Sequence, residues 1–328
     1  MIKILIISDS NDDTTDHVID WLQWQSHVDI VRINQQDIIQ DITLILNEKN
    51  CNTYVHIKNN LLDIGLFDTI WYRRGAWSVV FPVKSSQEYF NQIVSFLGNE
   101  WSVVKKYLSE LQTSVVLSTS EDENRNNKIL NLKIAQTVGL SIPDTIVTTS
   151  KKELECFFKR IGSIIYKPLL VAFECKSSSH KFSTGGSKLF SERLLNNMND
   201  YFFPSLFQEY IEKDIEIRAF YLKGQFFSMA IFSQQDEKTK IDYRNYNHEK
   251  PTRNIPFQLP KEIEEKLDAF MKKSQLETGS IDIIKSIDGR YVFLEVNPVG
   301  QFGWVSENCN YYLEQKIAYF LAHGKHAT

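Results

Sequence analysis

Cysteine is scarce in this chain and never paired in sequence. Cys51, Cys156, Cys175 and Cys309 are scattered over 328 residues, with no Cys-x-x-Cys step and no metal-ligand spacing. That excludes a disulfide-stapled secreted scaffold and a cysteine zinc site, and it reads as reduced thiols in a cytosolic protein. Long apolar runs are missing too: no stretch approaches the ~18 residues that span a bilayer. The opening "MIKILIIS" is too short for a signal peptide and is followed by "DSNDDTTD" in place of a small-residue cleavage site, so it reads as a first strand. The formal charge of -4 gives no general attraction to nucleic acid or to an anionic membrane. Neither a Ser-His-Asp nor a Cys-His nucleophile signature is present. Internal repeats and low-complexity linkers are absent as well.

What is present is enough chain for two or three packed units, at roughly 100 to 200 residues per domain. Residues 1 to about 118 alternate short strands ("IKILIIS", "VDIVRI", "DTIWYRR", "SVVLS") with helix-like segments, one of them from about Ser85 to Leu111. That is the rhythm of a small α/β domain. A capping box from Ser120 to Glu123 predicts a helix that closes at Gly139, with Leu140 as the apolar residue after the cap. The stretch 119–205 then reads as a small lobe of strand, helix and strand. The remainder, 206–328, reads as an antiparallel sheet with flanking helices.

The most informative stretch is "GSIDIIKSIDGRYVFLEVNP", Gly279 to Pro298. Asp288-Gly289 between two apolar, β-rich runs signals a two-residue type I′ hairpin turn. Such a turn places Asp282 opposite Glu295 and Ser280 opposite Asn297. Side chains alternate along a strand, so Asp282, Glu295 and Asn297 share one face with Ile284 and Phe293, while Ile281, Ile283, Leu294 and Val296 face a core. Like charges directly opposite destabilise a sheet, so something positive belongs between the carboxylates. Oxygen-only ligands suit Mg²⁺ or Mn²⁺. The plainer alternative is the solvated polar face of an edge hairpin.

Other charged residues stand at the ends of predicted elements. Lys167 ends the strand "SIIYKP" and Lys128 lies early in the helix after the capping box; each suits phosphate oxygens, or is an ordinary solvated lysine. Gln208 to Ile211 fall where a lobe boundary is expected, and Glu216 and Arg218 share a face of the next strand. Arg218 either binds phosphate through its planar fork or belongs to a cross-strand ion pair. Arg244 and Arg253 sit in the polar segment "IDYRNYNHEKPTRNIPFQLP", suited to an anionic intermediate or to open solvent.

Taken in order, Lys128, "GLSIPDTIVTTS", "IIYKP", "QEYIEKDIEIRAF", "DYR" and "GSIDII...YVFLEVNPVGQFGW" resemble an ATP-grasp ligase. The resemblance is to the peptide maturases that make graspetides, the microviridin-type macrocyclases, and among them to the grasp-with-spasm type. It covers nearly the whole chain, including "WYRRG" from Trp71 to Gly75. Its most specific part is "LEVNPVGQFGW", because ATP-grasp enzymes in general share the Glu-x-Asn but not the Gly-Gln-Phe-x-Trp tail. The implied fold is α/β: an N-terminal pre-ATP-grasp domain (1–118), a central ATP-grasp lobe (119–205) and a C-terminal antiparallel-sheet lobe (206–328) carrying the metals. The resemblance implies that Lys128 and Lys167 contact the phosphates of ATP, with Glu216 also on the nucleotide. It implies that Gln208, Glu209, Tyr210 and Ile211 form the adenine hinge, the backbone of Tyr210 and Ile211 making the polar contacts. Asp282, Glu295 and Asn297 would hold two Mg²⁺ ions, and Arg218 and Arg244 would steady the transferred phosphoryl group. A glycine-rich phosphate lid is not evident, and "SSSHKFSTGGSKLF" (177–190) stays unassigned between a lid and a leader-binding hairpin.

The implied activity is activation of Glu or Asp side chains of a ribosomal precursor peptide as acyl phosphates. Displacement by Thr or Ser, or by Lys, then gives ester or amide macrocycles. The implied partner is that peptide with its N-terminal leader, in the cytoplasm, with no nucleic acid, no membrane and a possible homo-oligomer. Two alternatives are a ligase of the same fold that joins an amino acid to a small molecule or a protein C-terminus, and a non-catalytic, nucleotide-dependent peptide-binding module.

Overall fold

The computed structural model describes residues 1–86, 88–111, 115–124, 126–170, 174–176, 181–183 and 186–324. The chain divides into two compact units, Met1–Arg125 with Gln301–Thr328, and Asn126–Gly300. The segment expected to run from 206 to 328 is therefore shared between both. No described helix is long and apolar enough to cross a membrane.

In the first unit the strands are β1 (Ile2–Ser8), β2 (Val28–Asn34), β3 (Ile39–Leu46), β4 (Cys51–Ile57), β5 (Asn60–Asp63), β6 (Thr69–Arg73) and β7 (Val115–Leu117). Its α-helices are α1 (Asp13–Gln23), α2 (Phe90–Ser109) and α3 (Ser120–Asn124), with two more, Gly303–Cys309 and Leu313–His323, in the C-terminal segment. A parallel sheet runs in the order β2-β1-β6-β7. Ile4 to Ile7 of β1 are all buried, as the unbroken apolar run requires of a central strand covered on both faces. Strands β3 to β5 form a separate antiparallel sheet that the α/β rhythm did not announce. Most of "WYRRG" is structural: Trp71, Tyr72 and Arg73 are buried, and Arg73 pairs with Asp12 at 3.1 Å and lies over the Phe302 ring.

The second unit holds α4 (Lys128–Thr137), β8 (Thr145–Ser150), α5 (Lys151–Ile161), β9 (Ile164–Lys167), β10 (Glu174–Lys176), β11 (Lys181–Ser183), β12 (Lys188–Phe190), α6 (Glu192–Asn196) and β13 (Tyr201–Glu209). It continues with β14 (Lys213–Leu222), β15 (Gln225–Ile231), β16 (Asn254–Phe257), α7 (Lys261–Lys273), β17 (Thr278–Ser286) and β18 (Tyr291–Asn297). One antiparallel sheet has the order β12-β9-β13-β8; a second has the order β16-β15-β14-β17-β18. The first packs Ile164 and Phe207 against Leu154, Phe157 and Leu195 of its helices. The second packs Ile217, Ile281, Ile283, Phe293 and Val296 against Phe270 and Met271 of α7. Of the unassigned segment 177–190, residues 177–180, 184 and 185 lie outside the described residues. Strand β11 pairs with β10, and β12 forms one edge of its sheet.

Two local predictions shift. The capping box is Thr119 with Asp122, one residue earlier than expected: the Asp122 N–H donates to Thr119 Oγ1 and the Thr119 N–H to Asp122 Oδ2. The helix it opens is the short α3. The helix bearing Lys128 starts afresh, because the Asn127 side chain accepts from the Ile129 and Leu130 N–H groups. Its end is as expected: Gly139 is left-handed (φ 78°) and the Leu140 N–H returns to the Ala135 carbonyl.

The hairpin keeps the expected pairing by a different route. Its loop is Ile287, Asp288 and Gly289, closed by the Gly289 N–H on the Ser286 carbonyl with Gly289 at φ 87°, in place of a two-residue turn. Pairing runs Lys285↔Tyr291, Ile284↔Val292 and Ile283↔Phe293, then skips Leu294 and resumes at Asp282↔Glu295 and Ser280↔Asn297. The extra loop residue offsets the register by one and the bulge at Leu294 restores it. Between turn and bulge the faces are exchanged: Phe293 lies in the core, and Leu294 packs toward Ile211, Ile284 and Val292.

Candidate active site

The second unit contains a cavity of about 330 Å³ walled by both of its sheets. Strands β9 and β13 bring Ile165, Lys167 and Gln208 to it; β17 and β18 bring Asp282, Ile284, Leu294, Glu295 and Asn297. Eleven of the twelve residues to which the resemblance gives a site role line it: Lys128, Lys167, Gln208, Glu209, Tyr210, Ile211, Glu216, Arg244, Asp282, Glu295 and Asn297. Arg218 stands just behind the wall. It is the cross-strand neighbour of Asp282 and donates from Nη1 to Asp282 Oδ1 at 2.7 Å. Arg253 lies elsewhere, its guanidinium over the Phe232 ring.

Opposition of the two carboxylates is relieved from the flanks. Arg218 covers Asp282, and Lys128 Nζ lies 3.5 Å from Glu295 Oε2 while donating to the Pro168 carbonyl. Burial works to raise the Glu295 pKa, but Lys167 and Lys128, ahead of Arg244 and Arg218, outweigh it and hold the group below the ordinary carboxylate value. At Asp282 burial wins. It outweighs Arg218, and the neighbouring Glu295 charge adds to it, so the pKa is raised. Burial also depresses Lys167, with Lys128 and Arg244 adding to the effect against the pull of Glu295. Among the described residues the Lys167 ammonium has no hydrogen-bond acceptor. A lysine in that position is suited to an anion entering the cavity.

The oxygen set fits a hard divalent cation. Each carboxylate commits one oxygen to a protein cation, leaving Asp282 Oδ2 and Glu295 Oε1 without a partner among the described residues. The Asn297 side chain, two residues from Glu295 on the same face, also has no hydrogen bond among the described residues. No described cluster of three or more His, Cys, Asp or Glu could hold a metal. A cation here would therefore draw on two carboxylates, one amide and oxygens from water or a phosphate, which is the habit of Mg²⁺.

Among the polar residues of the cavity that were not anticipated are Lys213, Asp242 and Tyr243. Lys213 donates to Glu216 Oε1 at 2.7 Å and to the Ile241 carbonyl, and Ser233 donates to the same Glu216 oxygen. Burial raises the Glu216 pKa despite that lysine. Strand β14 shifts register between Lys213 and Ile215, so simple alternation could not place Lys213 on the face of Glu216. Asp242 binds Arg244 through Nε and Nη2 and accepts the Ser187 N–H. Its proximity to Arg244 in "DYR" was the available signal. Tyr243, between them, also lines the cavity.

At the predicted hinge the Tyr210 N–H is already committed to the Ser163 carbonyl and the Glu209 N–H to the Asp144 carbonyl. The Glu209 carboxylate turns away to accept the Asp144 N–H. No acceptor takes the Ile211 N–H among the described residues, so a ligand's acceptor would meet that donor, and the Tyr210 contribution is limited to its carbonyl. Ile165, Ile211, Ile284 and Leu294 give this end of the cavity apolar walls.

No protein-family model matches the chain, and no curated protein does. Solved structures do. A RiPP-associated ATP-grasp ligase of Chryseobacterium gregarium, in complex with ADP and a leader and core peptide, is 23% identical with a TM-score of 0.84, over 98% of this chain and 97% of that one. The macrocyclase MdnC of Microcystis aeruginosa MRC, bound with precursor peptide MdnA, is 23% identical with a TM-score of 0.79, over 98% of this chain and 99% of that one. The ATP-grasp ligase PsnB, complexed with a minimal precursor, Mg and ADP, is 15% identical with a TM-score of 0.71, over 99% and 97%. From end to end, then, this chain has the fold of the ATP-grasp ligases.

Proposed function

We propose that the chain is an ATP-dependent carboxylate ligase that closes macrocycles within a ribosomal precursor peptide. The observation that carries the reading is the pairing, in one cavity, of an ammonium, Lys167, with three oxygens, on Asp282, Glu295 and Asn297, none of which has a partner among the described residues. A nucleoside triphosphate with its divalent cation satisfies both at once. The peptide substrate is drawn from the complexes of the similar structures, which hold leader, core or precursor peptides.

In this reading the apolar end between Ile165 and Leu294 takes the base, with the Ile211 N–H as donor. Lys128 and Lys167 bind phosphate oxygens. Mg²⁺ held by Asp282, Glu295 and Asn297 supplies neutralisation of phosphate charge. Arg244, oriented by Asp242, faces the transferred phosphoryl group, and Arg218 keeps Asp282 in place. A substrate carboxylate attacks the terminal phosphorus, the bond to ADP breaks, and a hydroxyl or amine of the same peptide then displaces phosphate. The chain's own residues bind, orient and neutralise; no side-chain nucleophile is required.

The test is the mass of the product. With ATP, Mg²⁺ and a short Thr- and Glu/Asp-rich peptide from a neighbouring reading frame, each ring formed lowers the peptide mass by one water. Reaction needs the leader, because a docked remote segment raises the local concentration of core carboxylates. Mild base should open the rings as esters and would leave amides intact. A gain of mass, as from added glutamate, would overturn the macrocyclase reading in favour of a tailing ligase, and nucleotide binding without ADP release would favour the non-catalytic module.

A further inference from the structure

Gln208 is almost completely buried, and its Oε1 has no hydrogen-bond partner among the described residues. An orphaned buried amide oxygen costs stability unless something satisfies it. Its direction is set by the sheet. Gln208 pairs with Ile165 on one side and Thr145 on the other, and Leu206 of the same strand pairs with Lys167. Alternation puts Gln208 on the face carrying Ile165 and Lys167, which is the cavity face.

Which amide atom is left over follows from proton counting. The Thr145 hydroxyl has a single proton, and it donates that proton to the Pro143 carbonyl at 2.8 Å. Toward Gln208 it can only accept, so it takes an N–H from Nε2 at 2.9 Å. The amide is thereby held with nitrogen toward Thr145 and oxygen left for a ligand donor. Three residues on and lining the same cavity, Ile211 offers an N–H that has no acceptor among the described residues. Acceptor beside donor matches the 6-amino group and N1 of adenine; a 6-oxo purine presents an oxygen and an N1–H, mismatched at both.

We propose that Thr145 is a specificity-positioning residue that fixes the Gln208 amide so that the site selects 6-amino over 6-oxo purine nucleotides. This rests on the reading of the cavity as a nucleotide site. The experiment is calorimetric titration of the intact chain with ATP and with ITP, each with Mg²⁺. The wild type should prefer ATP by about 10- to 100-fold, the range expected when a buried acceptor is left unpaired. In Thr145→Val nothing holds the amide nitrogen, the amide can turn its N–H₂ to the inosine oxygen, and the ATP-to-ITP ratio should fall by about fivefold or more. Thr145→Ser keeps the hydroxyl and should restore the wild-type ratio. Wild-type chain that binds neither nucleotide would overturn the nucleotide-site reading itself. Equal binding of both by the wild type would overturn base selection while leaving that reading standing. A Thr145→Val ratio equal to that of the wild type, including equal weakening of both ligands, would overturn the role of Thr145.

Discussion

Replacing Lys167 by methionine separates phosphate recognition from folding. In the free chain the ammonium holds no acceptor among the described residues, and burial, with Lys128 and Arg244, keeps its pKa below the ordinary lysine value. A lysine whose folded pKa is lowered weakens the fold while it is protonated, and that cost disappears only as the pH rises toward the unfolded value. Deleting the charge therefore removes a cost, and Met fills a similar volume. Against this, Glu295 loses its strongest cation but retains Lys128 at 3.5 Å. The two effects oppose, and the stability measured by urea unfolding should stay within about 1 kcal/mol of the wild type. Binding should respond differently. A hydrogen bond to a charged group contributes about 1.5–3 kcal/mol, so ATP should bind about 10- to 150-fold more weakly. Adenosine carries no phosphate and should bind as before. Titration of both ligands into both proteins decides the matter: equal loss for ATP and adenosine would place Lys167 away from the phosphates, and a collapse of stability would show that its charge is structural.

Asp282→Ala should abolish peptide-dependent ATP hydrolysis and also destabilise the chain. Relief of the opposed carboxylates alone would raise stability, but the substitution strands the buried Arg218, at a cost of about 3 kcal/mol in urea unfolding. Adding Arg218→Met should recover most of that loss without recovering activity; wild-type turnover in the single variant would refute the metal-ligand role. Gly300→Ala should act on the same corner sterically, since a Cβ there would lie 2.5 Å from Ser280 Cβ and 2.9 Å from the Asn297 carbonyl oxygen. Melting temperature and Mg²⁺-dependent hydrolysis should both fall, and an unchanged Mg²⁺ requirement with full activity would show that the Asn297 corner tolerates displacement.

What could be read from sequence was whatever rests on strict periodicity. The four parallel strands of the first unit, the facing of Asp282 and Glu295, and the Gly139 stop all follow from local pattern. The β3–β5 sheet was not legible, because the run from Ile42 to Leu46 in β3 lacks the strict alternation of a half-buried strand and β5 is only four residues long. Lys213 was hidden by a register shift and Phe293 by a bulge. Irregularities of this kind depend on packing against residues distant in sequence: the Phe293 N–H, for example, is taken by the carbonyl of Ser141. The split between α3 and α4 was missed because Asn127 competes as a cap with the earlier Thr119 and Asp122, and an inventory of capping residues does not say which one opens the longer helix.

Two opposed carboxylates raised the expectation of one positive charge between them. The chain instead pairs Asp282 with Arg218 of the neighbouring strand, while Lys167 and Lys128 offset the charge of Glu295. The difference matters for how such a site can work. A single cation held between the carboxylates by the protein would occupy the position a metal needs and would have to be expelled. These cations leave Asp282 Oδ2 and Glu295 Oε1 uncommitted among the described residues while sparing the hairpin most of the repulsion, so the strands can pair before any ligand arrives. The residual strain is unequal: Glu295 stays easily ionised, whereas Asp282, with its pKa raised by burial, gains most from a further positive charge. A divalent cation arriving with phosphate oxygens therefore adds to a framework that is already folded, and its binding energy goes into holding the phosphates rather than into assembling the strands.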